Sequence, residues 1–250
     1  MLIQAIKTRL FMPPKDDLFS LIKESFPDVN LKEKTMIVLA SKIVSIWQGR
    51  CVKIDSIENK DDLIKKEADL YLDRDKVPQG YVMLTVKNNI LIPAAGIDES
   101  NGNGYFILWP KNPFQAAKQI YNFIKENYHL NNFGIIIADS HCTPSRRGTT
   151  GISIAYYGFH PLKDYRGTKD IFGREMKMSQ SNIVDSLAAT AVFAMGEGNE
   201  QTPIAIIEDI DFIKFEECTP SASNPLEIDR DDDIYAPLLK AIKWRRGGNL

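Results

Sequence analysis

Cysteine is scarce in this chain, and the three present, Cys51, Cys142 and Cys218, are widely spaced and odd in number. No CxxC pair or other zinc spacing links them, so neither a disulfide framework nor a structural zinc site is expected. Long apolar runs are missing too. The longest, around residues 135–138 and 187–195, fall far short of the roughly 18 apolar residues that a membrane helix needs. The N-terminal MLIQAIKTRLFMPP has neither the apolar centre nor the small-residue cleavage site of a secretory leader. Together these absences predict a protein of a reducing compartment, the cytoplasm, with no membrane partner. Charge of one sign is also lacking: 31 Lys and Arg stand against 33 Asp and Glu. Phosphate-backbone binding needs a clear basic surplus, so no nucleic-acid partner is expected.

Several signatures are absent as well. There is no GxxxxGK[ST] loop, no kinase or dinucleotide glycine pattern and no GxSxG elbow. What is present is an ordinary globular composition, 44% hydrophobic and 26% charged over 250 residues, enough for a substantial core. No repeat, low-complexity tract or convincing linker divides the chain. A single domain over 1–250 is expected, with a polar tail from about 216 to 250 at its periphery.

The apolar pattern predicts a strand at residues 2–7, then a helix opened by Asp16 and Asp17 and closed near Phe26-Pro27. The run TMIVLASKIVS, 35–45, is rich in β-branched residues and predicts a buried strand. A charged helix is expected over 62–72. Segments 81–86 and 90–93 predict a hairpin turning at Asn88-Asn89, and 104–108 another strand. Pro113 opens a helix to 128, with Phe114, Ala117, Ile120, Phe123 and Ile124 at helical spacing. Strands at 133–138, 151–157 and 203–207 flank a helix at 182–195. The stretch SASNPLEIDRDDD is expected to be a loop, followed by a helix over about 234–244. These elements mix without a regular βαβ rhythm, which predicts an α+β fold of mixed sheets with flanking helices.

Three carboxylates stand where an apolar element gives way to a polar turn: Asp98 in PAAGIDESNGNG, Asp139 in IIIADSHCTPSRRGTTG and Glu197 in FAMGEGNEQTP. That placement suits oxygen ligation of a hard cation such as Mg2+ or Mn2+, with Ser140 and Asn101 as neutral oxygen donors. Asp, Asn and Gly also dominate ordinary turns, so each taken alone reads equally as a turn residue. In PSRRGTTG, Arg146 and Arg147 offer planar donors to phosphate or carboxylate, ahead of a glycine-rich turn with backbone N–H groups to spare. Lys42, inside the apolar run, must reach water, a carboxylate or a phosphate. The cluster Lys163, Arg166, Lys169 and Arg174, interleaved with acids, aromatics and glycines, predicts a structured loop.

Taken together, SKIVSIWQGR (41–50), AGIDESN ending at Asn101, IIIADSHCTPSRRGTTGISIAYYG (135–158), PLKDYRGTKDIFGRE (161–175) and AMGEGNEQTP resemble the coenzyme F420-0:γ-glutamyl ligase family. The likeness is colinear from Lys7 to about Ile207. Phrases such as ADLYLDRDKVP, YVMLTVKNNILIP and NGYFILWPKNP are similar to a bacterial branch labelled as folate-metabolism γ-glutamate ligases. The resemblance implies an intertwined α+β homodimer. It also implies condensation of L-glutamate onto a carboxylate acceptor, F420-like or folate-like, using GTP or ATP and Mg2+ or Mn2+, two ions in all. By the same resemblance Asp98, Asp139, Ser140 and Glu197 are the metal ligands. Phe11, Met12, Pro13, Pro14, Ser41, Lys42, Asn101 and Glu197 serve the nucleotide. Arg146, Arg147 and Asp139 are expected to be catalytic, on an acyl-phosphate route. The chain departs from the family pattern at Ile46, where many members carry a lysine, at Trp47-Gln48, and in the HCTPS turn. A metal-dependent phosphohydrolase, or a non-catalytic nucleotide-binding or regulatory protein of the same fold, would use the same residues.

Overall fold

The computed structural model describes residues 1–27, 29–217 and 224–248. Cys218 and residues 221–223 of the expected tail loop lie outside them. In chain order the first elements are β1 (Leu2–Ile6), α1 (Leu18–Ser25), β2 (Thr35–Ala40) and α2 (Ser41–Trp47). Then come β3 (Cys51–Lys53), α3 (Lys60–Glu67), β4 (Leu70–Leu72), β5 (Leu84–Lys87), β6 (Ile90–Pro93) and β7 (Tyr105–Ile107). The second half contributes α4 (Pro113–Tyr128), β8 (Phe133–Cys142), β9 (Thr149–Tyr157), β10 (Leu162–Asp164) and β11 (Gln180–Asn182). It ends with α5 (Ile183–Met195), β12 (Ile204–Glu208), α6 (Ala236–Ala241) and β13 (Arg245–Arg246).

The main sheet has five strands in the order β1-β12-β2-β8-β9. Its β2–β8 pair is parallel and the other pairs are antiparallel. Alternate residues of the central strands feed two cores. Ile37, Leu39, Ile135 and Ile137 pack with α1 and α4 on one face, while Met36, Val38, Ile136 and Ala138 pack with α5 on the other. A strand buried on both faces reads as a continuous apolar run, which is why 35–40 and 133–138 carry no polar alternation. A separate four-stranded antiparallel sheet, β13-β4-β5-β6, and the β3–β7 pair enclose a smaller core around Ile64, Tyr71, Phe106 and Leu108. The result is a mixed α+β fold with several sheets, as expected. Among the described residues no helix is long and apolar enough to cross a membrane.

The structure corrects the sequence reading at four places. The expected strand over 35–45 stops at Ala40, and Ser41 and Lys42 begin α2 instead of sitting in a strand. This short helix has no side-chain cap, and Ser41, Ile43, Val44, Ser45 and Ile46 are all buried, so it shows neither a start signal nor an apolar stripe. The charged helix expected over 62–72 ends at Glu67, because Leu70–Leu72 pairs with β5 (Leu70 with Val86). The strand expected to end at Asp139 runs on to Cys142, since β9 pairs with it as far as Thr149, so Asp139 and Ser140 lie within the ladder. Finally, Thr149, Thr150 and Gly151 are strand residues and do not form an anion-binding turn. Gly151 is needed for close approach: a Cβ there would lie 2.4 Å from the Ala188 carbonyl oxygen on α5.

The expected periphery, 216–250, closes with β13, which adds an edge strand to the second sheet through β4. Around the basic cluster, β10 and β11 pair and the intervening loop is bonded internally. Arg166 Nη2 lies 2.6 Å from Asp164 Oδ2, and Asp170 Oδ1 accepts from the amides of Phe172 and Arg174, each at 2.9 Å. It is the structured loop the punctuation predicted.

Candidate active site

A cavity of about 350 Å³ opens where β2 and β8 deliver the chain to their carboxyl ends. Ala40, Ser41 and Lys42 follow β2, and Ala138, Asp139 and Ser140 lie on β8. Asp98, Ser100 and Asn101 come from the turn before β7, and residues 196–203 from the segment between α5 and β12. Thr8, Arg9, Leu10 and Phe11, beyond β1, close the remaining side. All seven of Ser41, Lys42, Asp98, Asn101, Asp139, Ser140 and Glu197 therefore meet in one cavity, from four separate stretches of chain.

The wall nearest β7 is tied down by Lys42. Its Nζ is 2.7 Å from Asp98 Oδ2, donates to the Ser100 carbonyl at 2.7 Å and reaches Ser100 Oγ at 3.3 Å. The Ser100 amide and hydroxyl donate to Asp98 Oδ1 at 2.8 and 2.9 Å. Burial works to raise the Asp98 carboxyl, but the Lys42 charge and these hydrogen bonds outweigh it and hold Asp98 below the usual carboxylate range. Asn101 adopts a left-handed backbone (φ 54) and its Nδ2 donates to the Gly198 carbonyl at 2.9 Å, joining this wall to the loop that carries Glu197. Glu197 itself accepts from Thr149 Oγ1 at 3.3 Å.

Asp139 behaves differently. Burial drives its carboxyl up to about 6, against hydrogen bonds from the Trp109 indole, the Ser140 amide and Ser41, while the neighbouring Asp98 charge adds to the rise. The Asp98 charge thus raises the proton affinity of Asp139, while Asp98 itself is held ionised by its cation, the Lys42 ammonium. The donor set of carboxylates, hydroxyl and amide oxygens suits a hard divalent ion. Among the described residues, no three His, Cys, Asp or Glu side chains stand close enough together to hold a metal as they are placed.

Other expected residues lie outside the cavity lining. Arg146 and Arg147 are exposed at the tip of the β8–β9 hairpin. Met12, Pro13 and Pro14 flank Phe11 but do not line the space. Conversely, Thr8, Arg9, Ser100 and Trp109 line it and were missed. Arg9 is fixed by Asp16 at 2.7 Å and Glu24 at 2.8 Å, which anchors the segment carrying Phe11. Trp109 was legible in principle, because a tryptophan in an apolar run needs a partner for its indole N–H.

Fold and cavity together define a class: a mixed α+β protein with a cavity lined by acids and a lysine. The family model for F420-0:γ-glutamyl ligase matches residues 5–209. The chain is 31% identical over 214 residues to a coenzyme F420:L-glutamate ligase of Methanopyrus kandleri, covering 79% of this chain and 82% of that protein. A coenzyme F420:L-glutamate ligase of Methanococcus maripaludis (strain C7) is 34% identical over 192 residues, covering 72% and 77%. That of Methanosarcina acetivorans is 28% identical over 241 residues, covering 91% and 92%. The chain belongs to the F420-0:γ-glutamyl ligase family, a family of glutamate-adding ligases.

Proposed function

We propose that this protein condenses L-glutamate onto a carboxylate of an F420-like or folate-like acceptor, in a reaction that consumes GTP or ATP and depends on Mg2+ or Mn2+. The observation that carries this reading is the meeting of Ser41, Lys42, Asp98, Asn101, Asp139, Ser140 and Glu197 in one cavity of about 350 Å³. A carboxylate forms an amide only after its oxygen is made a leaving group. On this reading an acceptor carboxylate oxygen attacks the γ-phosphorus and the nucleoside diphosphate departs, giving an acyl phosphate. The glutamate amine then attacks the acyl carbon, inorganic phosphate leaves and the amine loses a proton.

The first step brings two anions together, so the site must concentrate positive charge. Asp98, Asp139, Ser140 and Glu197 would hold a pair of divalent ions, which when bound neutralise charge on the phosphates. Lys42 would steer the nucleotide with Ser41, Asn101 and Phe11, and Met12, Pro13 and Pro14 would shape the approach. Arg146 and Arg147 would act from the hairpin tip on the transferring phosphoryl group or the substrate carboxylates. A homodimer is supported by apolar side chains left in solvent on the β10–β11 loop and α5: Ile171 is 92% exposed, Phe172 90% and Phe193 89%. We take the whole chain as a single cytoplasmic domain.

Phosphate release tests the reaction class. A ligase releases phosphate from the nucleotide only when acceptor and glutamate are both supplied. Release with nucleotide and metal alone makes the protein a phosphohydrolase and refutes the proposal. Tight nucleotide binding with no turnover on any acceptor makes it a binding protein and refutes it equally.

A further inference from the structure

Trp109 is 1% exposed, and its indole N–H donates to Asp139 Oδ2 on β8. The other oxygen, Oδ1, accepts from the Ser140 amide at 2.8 Å. An ionised carboxylate offers about four lone-pair positions; these two bonds fix its plane, and the hydrogen bond from Ser41 comes from the cavity side. The indole is held in turn. Gly96 (φ +71) faces it so closely that a Cβ there would lie 2.1 Å from Nε1, so the ring is packed directly against the Gly96 backbone on that side. Behind it lies an ion cluster. Arg50 Nε donates to the Trp109 carbonyl at 3.1 Å, Arg50 Nη2 and Lys87 Nζ lie 2.6 and 2.7 Å from the same Glu67 Oε2, and Lys87 Nζ is 5.8 Å from the Trp109 ring centre. A charge cluster of this kind is placed by the fold itself. Glu67 ends α3, Lys87 ends β5, and Arg50 stands just before β3.

We propose that Trp109 is a positioning residue for the ligase site: its indole N–H sets the orientation of the Asp139 carboxylate toward a divalent ion, and Gly96 with the Glu67–Arg50–Lys87 cluster keeps the indole in place. The proposal rests on the metal-dependent reading given above. Partners that orient a ligand of a metal are worth 10- to 100-fold in metal affinity, to order of magnitude.

The test uses the full-length protein with Mn2+ alone as probe, counting free ion by electron paramagnetic resonance. Trp109→Phe keeps the ring and deletes the donor, and it is expected to weaken Mn2+ binding about 10- to 100-fold. Trp244→Phe removes an indole whose Nε1 donates to the Leu239 carbonyl at 2.9 Å, away from the cavity, and is expected to bind as the parent does. Equal binding by the parent and a folded Trp109→Phe refutes the positioning role alone. A parent that binds no Mn2+ refutes the metal reading and the proposal with it. If Trp109→Phe does not fold, the parent is labelled with 15N at its indoles and titrated with Mg2+, the three signals being assigned from Trp47→Phe and Trp244→Phe. A shift confined to the Trp109 signal supports the proposal, and a stationary Trp109 signal in protein that binds the ion overturns it.

Discussion

Glu67→Gln removes one negative charge from between two cations, and the structure allows its cost to be worked out. The side chain is 14% exposed and Oε2 takes both Arg50 Nη2 at 2.6 Å and Lys87 Nζ at 2.7 Å. Lys87 is only 10% exposed, and burial already pushes its ammonium toward losing the proton, against the pull of Glu67. Breaking a buried ion pair by deleting one partner costs about 3–5 kcal/mol, because the other charge is left uncompensated. Arg50 is 28% exposed and can turn partly to water, so the lower end, about 3 kcal/mol, is expected. At about 2–4 °C per kcal/mol for a chain of this size, Tm falls by about 6–12 °C. Lys87→Met should behave differently. The Glu67–Arg50 pair survives it, an apolar chain replaces a desolvated ammonium beside Trp109, and the change should stay within about 1 kcal/mol. Urea unfolding followed by far-ultraviolet circular dichroism measures both. A Glu67→Gln loss below about 1 kcal/mol, or a Lys87→Met loss equal to it, refutes the reasoning.

Gly96→Ala should cost about 2–5 kcal/mol, combining a left-handed backbone with overpacking against Trp109, and thermal unfolding would read it. Asp16 is held at about 2, chiefly by its hydrogen bond from Arg9. A carboxyl depressed on folding adds stability above its ordinary range and loses it as pH falls through the folded value. About 1 kcal/mol should therefore disappear between about pH 4 and 2, and Arg9→Met should abolish that step in acid titrations of stability. Phe172→Asp, at a side chain 90% exposed, should leave the monomer fold intact and lower the mass seen by light scattering from dimer to monomer. A parent already monomeric at working concentration contradicts the dimer.

Much of the fold was legible because its signals are local. Pro113 and the apolar positions from Phe114 to Ile124 define α4, Asn182 caps α5 by accepting from the Asp185 amide, and Asn88 and Asn89 take the positive φ angles (49 and 60) of a tight hairpin turn. What escaped depends on partners distant in sequence. A helix buried on nearly every side, as α2 is, has the same composition as a buried strand, and β4 exists only because β5 lies beside it. The acidic positions and Lys42 were legible as chemistry, whereas the Lys42–Asp98 contact follows from a strand-to-helix turn that the β-branched run 35–45 conceals. Arg146 and Arg147 were legible as anion-binding residues, whereas their place at an exposed hairpin tip follows from the pairing of Thr149 with Cys142.

Mass spectrometry of the reaction mixture reaches the central claim most directly. Full-length protein is incubated with Mg2+ or Mn2+, GTP or ATP, L-glutamate and a panel of F420-like and folate-like carboxylates. The account predicts the mass of one acceptor rising by a glutamyl residue, and the gain vanishing with Asp139→Asn while that variant stays folded. Unchanged acceptors across the panel with nucleotide nonetheless hydrolysed, or full glutamylation by folded Asp139→Asn, would contradict it.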